Sequence, residues 1–133
     1  MPNRELSNKW MEYAKTDYDV AVHDTTFHPL PIEIICYHCQ QAGEKALKAI
    51  LVYHGSEIQK THDLSVLLNQ CKALEPDLPD LAKQAVELSN FAVVTRYPSS
   101  IELEEADMKS ALLHADTILK ATAKILENKQ CRA

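Results

Sequence analysis

The stretch Cys39-Gln-Gln-Ala-Gly-Glu-Lys-Ala-Leu-Lys-Ala-Ile50, with Lys60-Thr-His-Asp-Leu64 downstream of it, decides the fold. Ile35, Cys39, Ala42, Ala46, Ala49 and Tyr53 recur at spacings of 4, 3, 4, 3 and 4, which is one continuous helical seam. His38, Gln41, Lys45 and Lys48 recur at 3, 4 and 3 on a neighbouring stripe, so hydrogen-bonding groups line up beside the seam. Folding requires the first stripe. Nothing in folding requires the second, which makes it the first candidate for function.

Working outward, the chain resolves into five helical segments. The first spans about Glu5 to Thr26, with Trp10, Tyr13, Ala14, Asp17, Val20, Ala21 and Asp24 on one side. Phe27-His-Pro-Leu-Pro31 ends it, because two prolines in three residues cannot continue a helix. The second spans about Ile32 to His54 and stops at Gly55, a C-terminal cap. Thr61 is the expected N-cap of a third helix carrying Leu64, Leu67, Leu68 and Cys71. Pro79 opens a fourth, ending near Phe91. Thr95-Arg-Tyr-Pro-Ser-Ser100 is the last loop, and Ser99 with Glu102 makes a capping-box pattern for the final helix. Met108, Leu112, Ala115, Leu119, Thr122 and Leu126 face inward from that helix, and residues 128–133 are expected to fray. Short loops between long amphipathic helices predict an all-α, up-and-down bundle of four or five helices in a single domain over 1–133.

Composition agrees and narrows the function classes. Apolar residues make up 46% of the 133, so a packed core forms, and only two glycines interrupt helix-favouring residues. A net charge of -5 excludes the broad basic face that duplex DNA requires, while leaving room for a small phosphate-binding pocket. No apolar run reaches the roughly 20 residues of a membrane span. The first residues contain no apolar signal core, so the expected compartment is the cytoplasm. Cys36 and Cys39 form a Cys-x-x-Cys pair, but no second ligand pair follows at zinc spacing. A helix puts both on its apolar side, where free cysteine acts as a small hydrophobe; no metal or cofactor is expected.

Several polar residues stand where packing alone would not ask for them. Asp17 lies within the apolar stripe of the first helix, so it needs either a partner or an outlet to water. Glu44 is placed to pair with Lys48 at i,i+4, the reading in which the lysine stripe is a solvated face. His62 follows a helix cap. Arg96 and Tyr97 precede Pro98, which holds Tyr97 extended; the rigid loop either projects a guanidinium and a phenol into a cleft or uses them to anchor itself. The candidate ligand-binding set is Asp17, Gln41, Lys45, Lys48, His62, Arg96 and Tyr97. Were the ligand a nucleotide, Lys45, Lys48 and Arg96 would meet phosphate, Tyr97 would stack a base or donate a hydrogen bond, His62 would hydrogen-bond the ligand, and Asp17 would orient a cation or accept from a base or ribose.

Taken together, Trp10 with Ala14 and Asp17, the Gln-Gln-Ala-x-Glu-Lys-Ala-Leu-Lys-Ala run, Thr61-His-Asp-Leu64 and Arg96-Tyr-Pro98 resemble the HEPN domain (higher eukaryotes and prokaryotes nucleotide-binding). The resemblance extends from about Trp10 to Leu126. It implies a helical bundle that forms homodimers, often encoded beside a minimal nucleotidyltransferase in a two-part, toxin-antitoxin-like module. Catalytic members of that family are metal-independent ribonucleases marked by Arg, four to six residues, then His. Here the arginines are Arg4, Arg96 and Arg132; the positions after Arg96 are Ile101, Glu102 and Leu103, and those after Arg4 are Lys9, Trp10 and Met11. The ribonuclease motif is absent, and no catalytic residue is assigned. The leading expectation is a non-catalytic protein that binds a nucleotide, an RNA segment or a nucleotidyltransferase partner. Two alternatives stand beside it: a ribonuclease toxin built on His62 or His38, and a purely structural adaptor. For the adaptor, the apolar interface residues are Phe27, Leu30, Ile32, Phe91, Val93 and Val94.

Overall fold

A computed structural model describes residues 2–96 and 102–131, with the backbone alone for 93–96. Among the described residues there are five helices and no strand: α1 (Arg4–Asp24), α2 (Ile32–Tyr53), α3 (Leu64–Leu74), α4 (Ala82–Arg96) and α5 (Glu105–Cys131). No described helix is long and apolar enough to cross a membrane.

α2 is the hub. All six residues of its seam are buried, five of them completely. α2 packs against every other helix, whereas the other helices touch only along the series α1, α5, α4, α3. These four therefore wrap α2 on three sides, and α1 does not meet α3. Through that gap one stripe of α2 looks outward. Gly43 marks a close approach within the wrapping: a Cβ there would lie 2.9 Å from Leu64 and 3.2 Å from Leu88, with Ile118 at 3.6 Å. Glycine lets three helices close on α2 at one level.

The helices run up and down, with one exception. α1 is antiparallel to α2, since Ser7 meets the Ala49 carbonyl while Asp17 meets Lys45 and His38. α3 runs parallel to α2, with Leu64 beside Gly43, Cys71 on the Leu47 carbonyl and Glu75 on His54. The extended return over 55–63 carries the chain back before α3 begins. Gly55 starts that return at φ +67, and the Ser56 amide bonds the Leu51 carbonyl, closing α2 as the sequence predicts.

Several boundaries shift from expectation, each for a local reason. The α3 cap is Asp63, whose carboxylate accepts the Ser65 amide, while Thr61 accepts the amide of Asp63 itself. Asp80 accepts the Ala82 amide, so α4 begins after Pro79, and it continues to Arg96 rather than ending near Phe91. Asp107 accepts the Glu104 amide at the start of α5; Ser99 lies outside the described residues. The tail expected to fray at Asn128 stays helical to Cys131, because Lys129 pairs with Glu75 and Gln130 bonds Asn8.

The buried face of α1 is also rotated from the predicted one. Ser7, Met11, Ala14 and Ala21 face the core, while Tyr13 and Val20 lie outside at 52% and 37% exposure. α1 sits in the angle between α2 and α5, and the small side chains of Ala14 and Ala21 fit that close approach. Trp10 and Asp17 end on the flank facing the open stripe of α2. Of the apolar residues expected at an interface, Phe27 is exposed, Leu30 and Ile32 pack partly against the core, and Phe91 is buried. The side chains of Val93 and Val94 lie outside the described set.

Candidate functional site

The outward stripe of α2 forms the floor of a slot, with α1 as one wall and the segment entering α3 as the other. Two carboxylates organise it. Asp17, on α1, reaches across to α2, where Lys45 Nζ lies 2.5 Å from Oδ2 and His38 Nδ1 lies 3.1 Å from Oδ1. A carboxylate only accepts, so the His38 proton on this bond sits at Nδ1. Asp17 has the partner that its position in the sequence demanded.

Glu44, on α2, is the second hub. Its side chain is 6% exposed and is held by Lys48 Nζ at 3.0 Å and His62 Nδ1 at 2.9 Å. Gln40 Nε2 donates to the same carboxylate at 3.1 Å and also to the His62 carbonyl at 3.1 Å. Gln41 in turn donates to Gln40 Oε1 at 2.8 Å. Burial pushes the Glu44 carboxyl upward, but the bonds from His62, Lys48 and Gln40 outweigh it and hold the pKa below the ordinary value. Lys48 also stands 5.9 Å from the centre of the Trp10 ring, within cation–π range. The slot is thus a continuous polar network from His62 through Glu44 to Lys48 and Trp10, with the Asp17 group beside it.

The charge count follows directly. Two carboxylates face two ammonium groups, so with neutral imidazoles the slot carries no net charge. Free cations for a phosphate, the role expected of Lys45 and Lys48, are already engaged. An anion entering here has to displace a carboxylate or share its lysine.

Five of the seven predicted site residues come together in this slot: Asp17 with Lys45, Lys48 with His62 through Glu44, and Gln41 through Gln40. Arg96 closes α4, but its side chain lies outside the described residues, as does Tyr97 altogether. Lys60 lines a different hollow, of about 650 Å³, with Glu57, Gln59 and Gln70. Glu44 and Gln40 are the residues that sequence reading left out of the site. Their signal was present: a glutamine and a glutamate at i,i+4 on a helix so apolar that both must be buried. Cys36 and Cys39 are fully buried, as the sequence predicts, with burial pushing the Cys36 thiol up to about 12 and Cys39 up as well. No metal-binding group of three ligands occurs among the described residues.

With this arrangement of helices in view, the comparison with known families is decisive. The HEPN domain profile matches residues 7–126. The chain belongs to the HEPN family. Among solved structures, an archaeal HEPN homologue, ST0689, superposes with a TM-score of 0.71 at 23% identity, over 90% of this chain and 97% of that one. TT1696 from Thermus thermophilus gives 0.62 at 27% identity, over 91% and 93%. A HEPN domain protein from Thermotoga maritima gives 0.59 at 22% identity, over 94% and 99%. Among curated proteins none matches the chain.

Proposed function

We propose that this HEPN protein is a non-catalytic binding module whose slot between α1 and α3 receives a protein partner. One observation carries this reading: both lysines of the slot are already paired with carboxylates held in place by the fold. A neutral, hydrogen-bonding surface with a half-buried tryptophan beside it suits a protein surface better than a polyanion. The partner that the family resemblance suggests is a minimal nucleotidyltransferase, the two forming a toxin-antitoxin-like pair. In the same reading the chain pairs with itself as a homodimer. The test is co-expression of tagged protein with a small nucleotidyltransferase encoded beside its gene. Co-purification that is lost on Trp10→Ala and Lys45→Ala supports the reading, and no co-purification with the wild-type protein sinks its partner half.

A nucleotide or short RNA is the second reading. It draws on Lys45 and His62 at the slot mouth, their side chains 27% and 54% exposed, where a phosphate can approach from solvent. Calorimetry with ATP, GTP and short RNAs separates the two. Absence of heat at millimolar ligand leaves the protein partner; saturable heat abolished by Lys45→Ala and Lys48→Ala hands the slot to the nucleotide.

A further inference from the structure

Four of the nine exposed large apolar side chains among the described residues fall in one row along α1 and its exit. They are Leu6, Tyr13, Val20 and Phe27, each 37% exposed or more and each seven residues from the next. Seven residues are nearly two helical turns, so the first three stack on one face of α1. Phe27 follows just beyond the helix end, where its amide bonds the Asp24 carbonyl and its ring meets His23 edge-on. Lys9 and Asp24 stand in the same row, and neither is paired with an opposite charge among the described residues.

The order of these residues reads the same from both ends. Leu6, Lys9, Tyr13, Val20, Asp24 and Phe27 follow one another at 3, 4, 7, 4 and 3. A two-fold axis passing between residues 16 and 17 sets Leu6 against Phe27 of a second copy, Tyr13 against Val20, and Lys9 against Asp24. Every large apolar group meets an apolar group, and the one cation meets the one anion. A parallel pairing instead sets Lys9 against Lys9 and Asp24 against Asp24, which is repulsive. At 1.5 Å per residue, the 21 residues of α1 give a contact about 31 Å long.

We infer that the outer face of α1 is the homodimer surface, on which two copies pack antiparallel with Lys9 of each paired to Asp24 of the other. This deepens the self-pairing part of the function proposed above. An isologous contact requires a surface complementary to itself under a two-fold, and this palindromic row meets that requirement. The row itself contains none of Asp17, Lys45, Lys48 and Glu44, the residues of the slot's two lysine–carboxylate pairs.

Sedimentation velocity in reducing buffer, which silences the exposed Cys131, tests the inference. The wild-type chain is expected at twice its 15.0 kDa mass. Tyr13→Asp should weaken the dimer by more than about thirtyfold while leaving the helical circular dichroism unchanged. Lys9→Glu should raise the dimer Kd about five- to tenfold, and the swap Lys9→Glu with Asp24→Lys should return it to within about twofold of wild type. A monomeric wild type overturns the homodimer reading and this surface together. A dimer that survives Tyr13→Asp, or a charge swap that fails to restore pairing, overturns the antiparallel α1 surface alone.

Discussion

Two buried glutamates of this protein have nearly the same partners and very different surroundings. Glu44 holds Lys48 and His62; Glu75 holds Lys129 at 3.1 Å and His54 at 2.5 Å. Each carboxylate is 6% exposed and each grips one lysine and one histidine. Glu75 sits at the C-terminal cap of α3 and ties the end of α2 to the last turn of α5. It closes one end of the bundle, and its partners come from helix ends that packing has already brought together. Glu44 sits in mid-helix, under the one gap in the wrapping, and its network surfaces at Trp10 and His62. The same ion-pair chemistry therefore fastens helices in one place and presents a surface in the other. What differs is whether the surrounding helices close over it.

That contrast can be broken by experiment. The largest effect is expected from Glu44→Ala. Its loss strips a hydrogen-bond acceptor from fully buried Gln40 and removes the carboxylate that Lys48 and His62 share, which should cost about 3 kcal/mol in urea denaturation. Partner binding should be lost with it. Glu75→Ala should cost about 2 kcal/mol, since His54 and Lys129 can turn to water, and should leave partner binding at the wild-type level. If Glu75→Ala disrupts binding as badly as Glu44→Ala, the division between fastening and presenting is wrong.

Lys45→Ala should cost about 1 kcal/mol or less, because the lysine is part-exposed and Asp17 retains His38. Binding should fall far more than stability does, which a co-purification assay beside a melting curve will reveal. The smallest effect lies in pH. The Glu44 carboxyl is held below its ordinary value of 4.5 in the folded protein, so its contribution is present above that pH and fades as pH falls through the folded value. The stability gap between wild type and Glu44→Gln should be widest near neutrality and narrow in acid. A gap that widens on acidification would reverse the sign assigned to this carboxylate.

Much of this was legible in the residues because it is local. The seam of α2 is a periodicity within one helix, and Gly55 acts on its own turn, so both appear where the sequence places them. The Glu44–Lys48 pair is visible for the same reason, being one helical turn apart. Glu44 as the hub of the slot was not legible, because His62 lies eighteen positions downstream and arrives only when the return over 55–63 brings it back. The buried face of α1 departs from the sequence pattern for a related reason. Tyr13, Ala14, Val20 and Ala21 all satisfy a helical apolar pattern, and only the positions of α2 and α5 determine that Ala14 and Ala21 stay inward while Tyr13 and Val20 turn out.

The sequence by itself determined that five helices form, which stripe of α2 is apolar, and the family to which the chain belongs. Those follow from spacings of three and four residues and from a run of identities that needs no neighbours to be read. Only the tertiary structure decided that α3 runs parallel to α2, that α1 and α3 leave a slot between them, and that Asp17 of α1 reaches Lys45 of α2. These depend on contacts between residues far apart in the chain. Burial forces each carboxylate to find its cation, and the path of the backbone determines which cation is within reach.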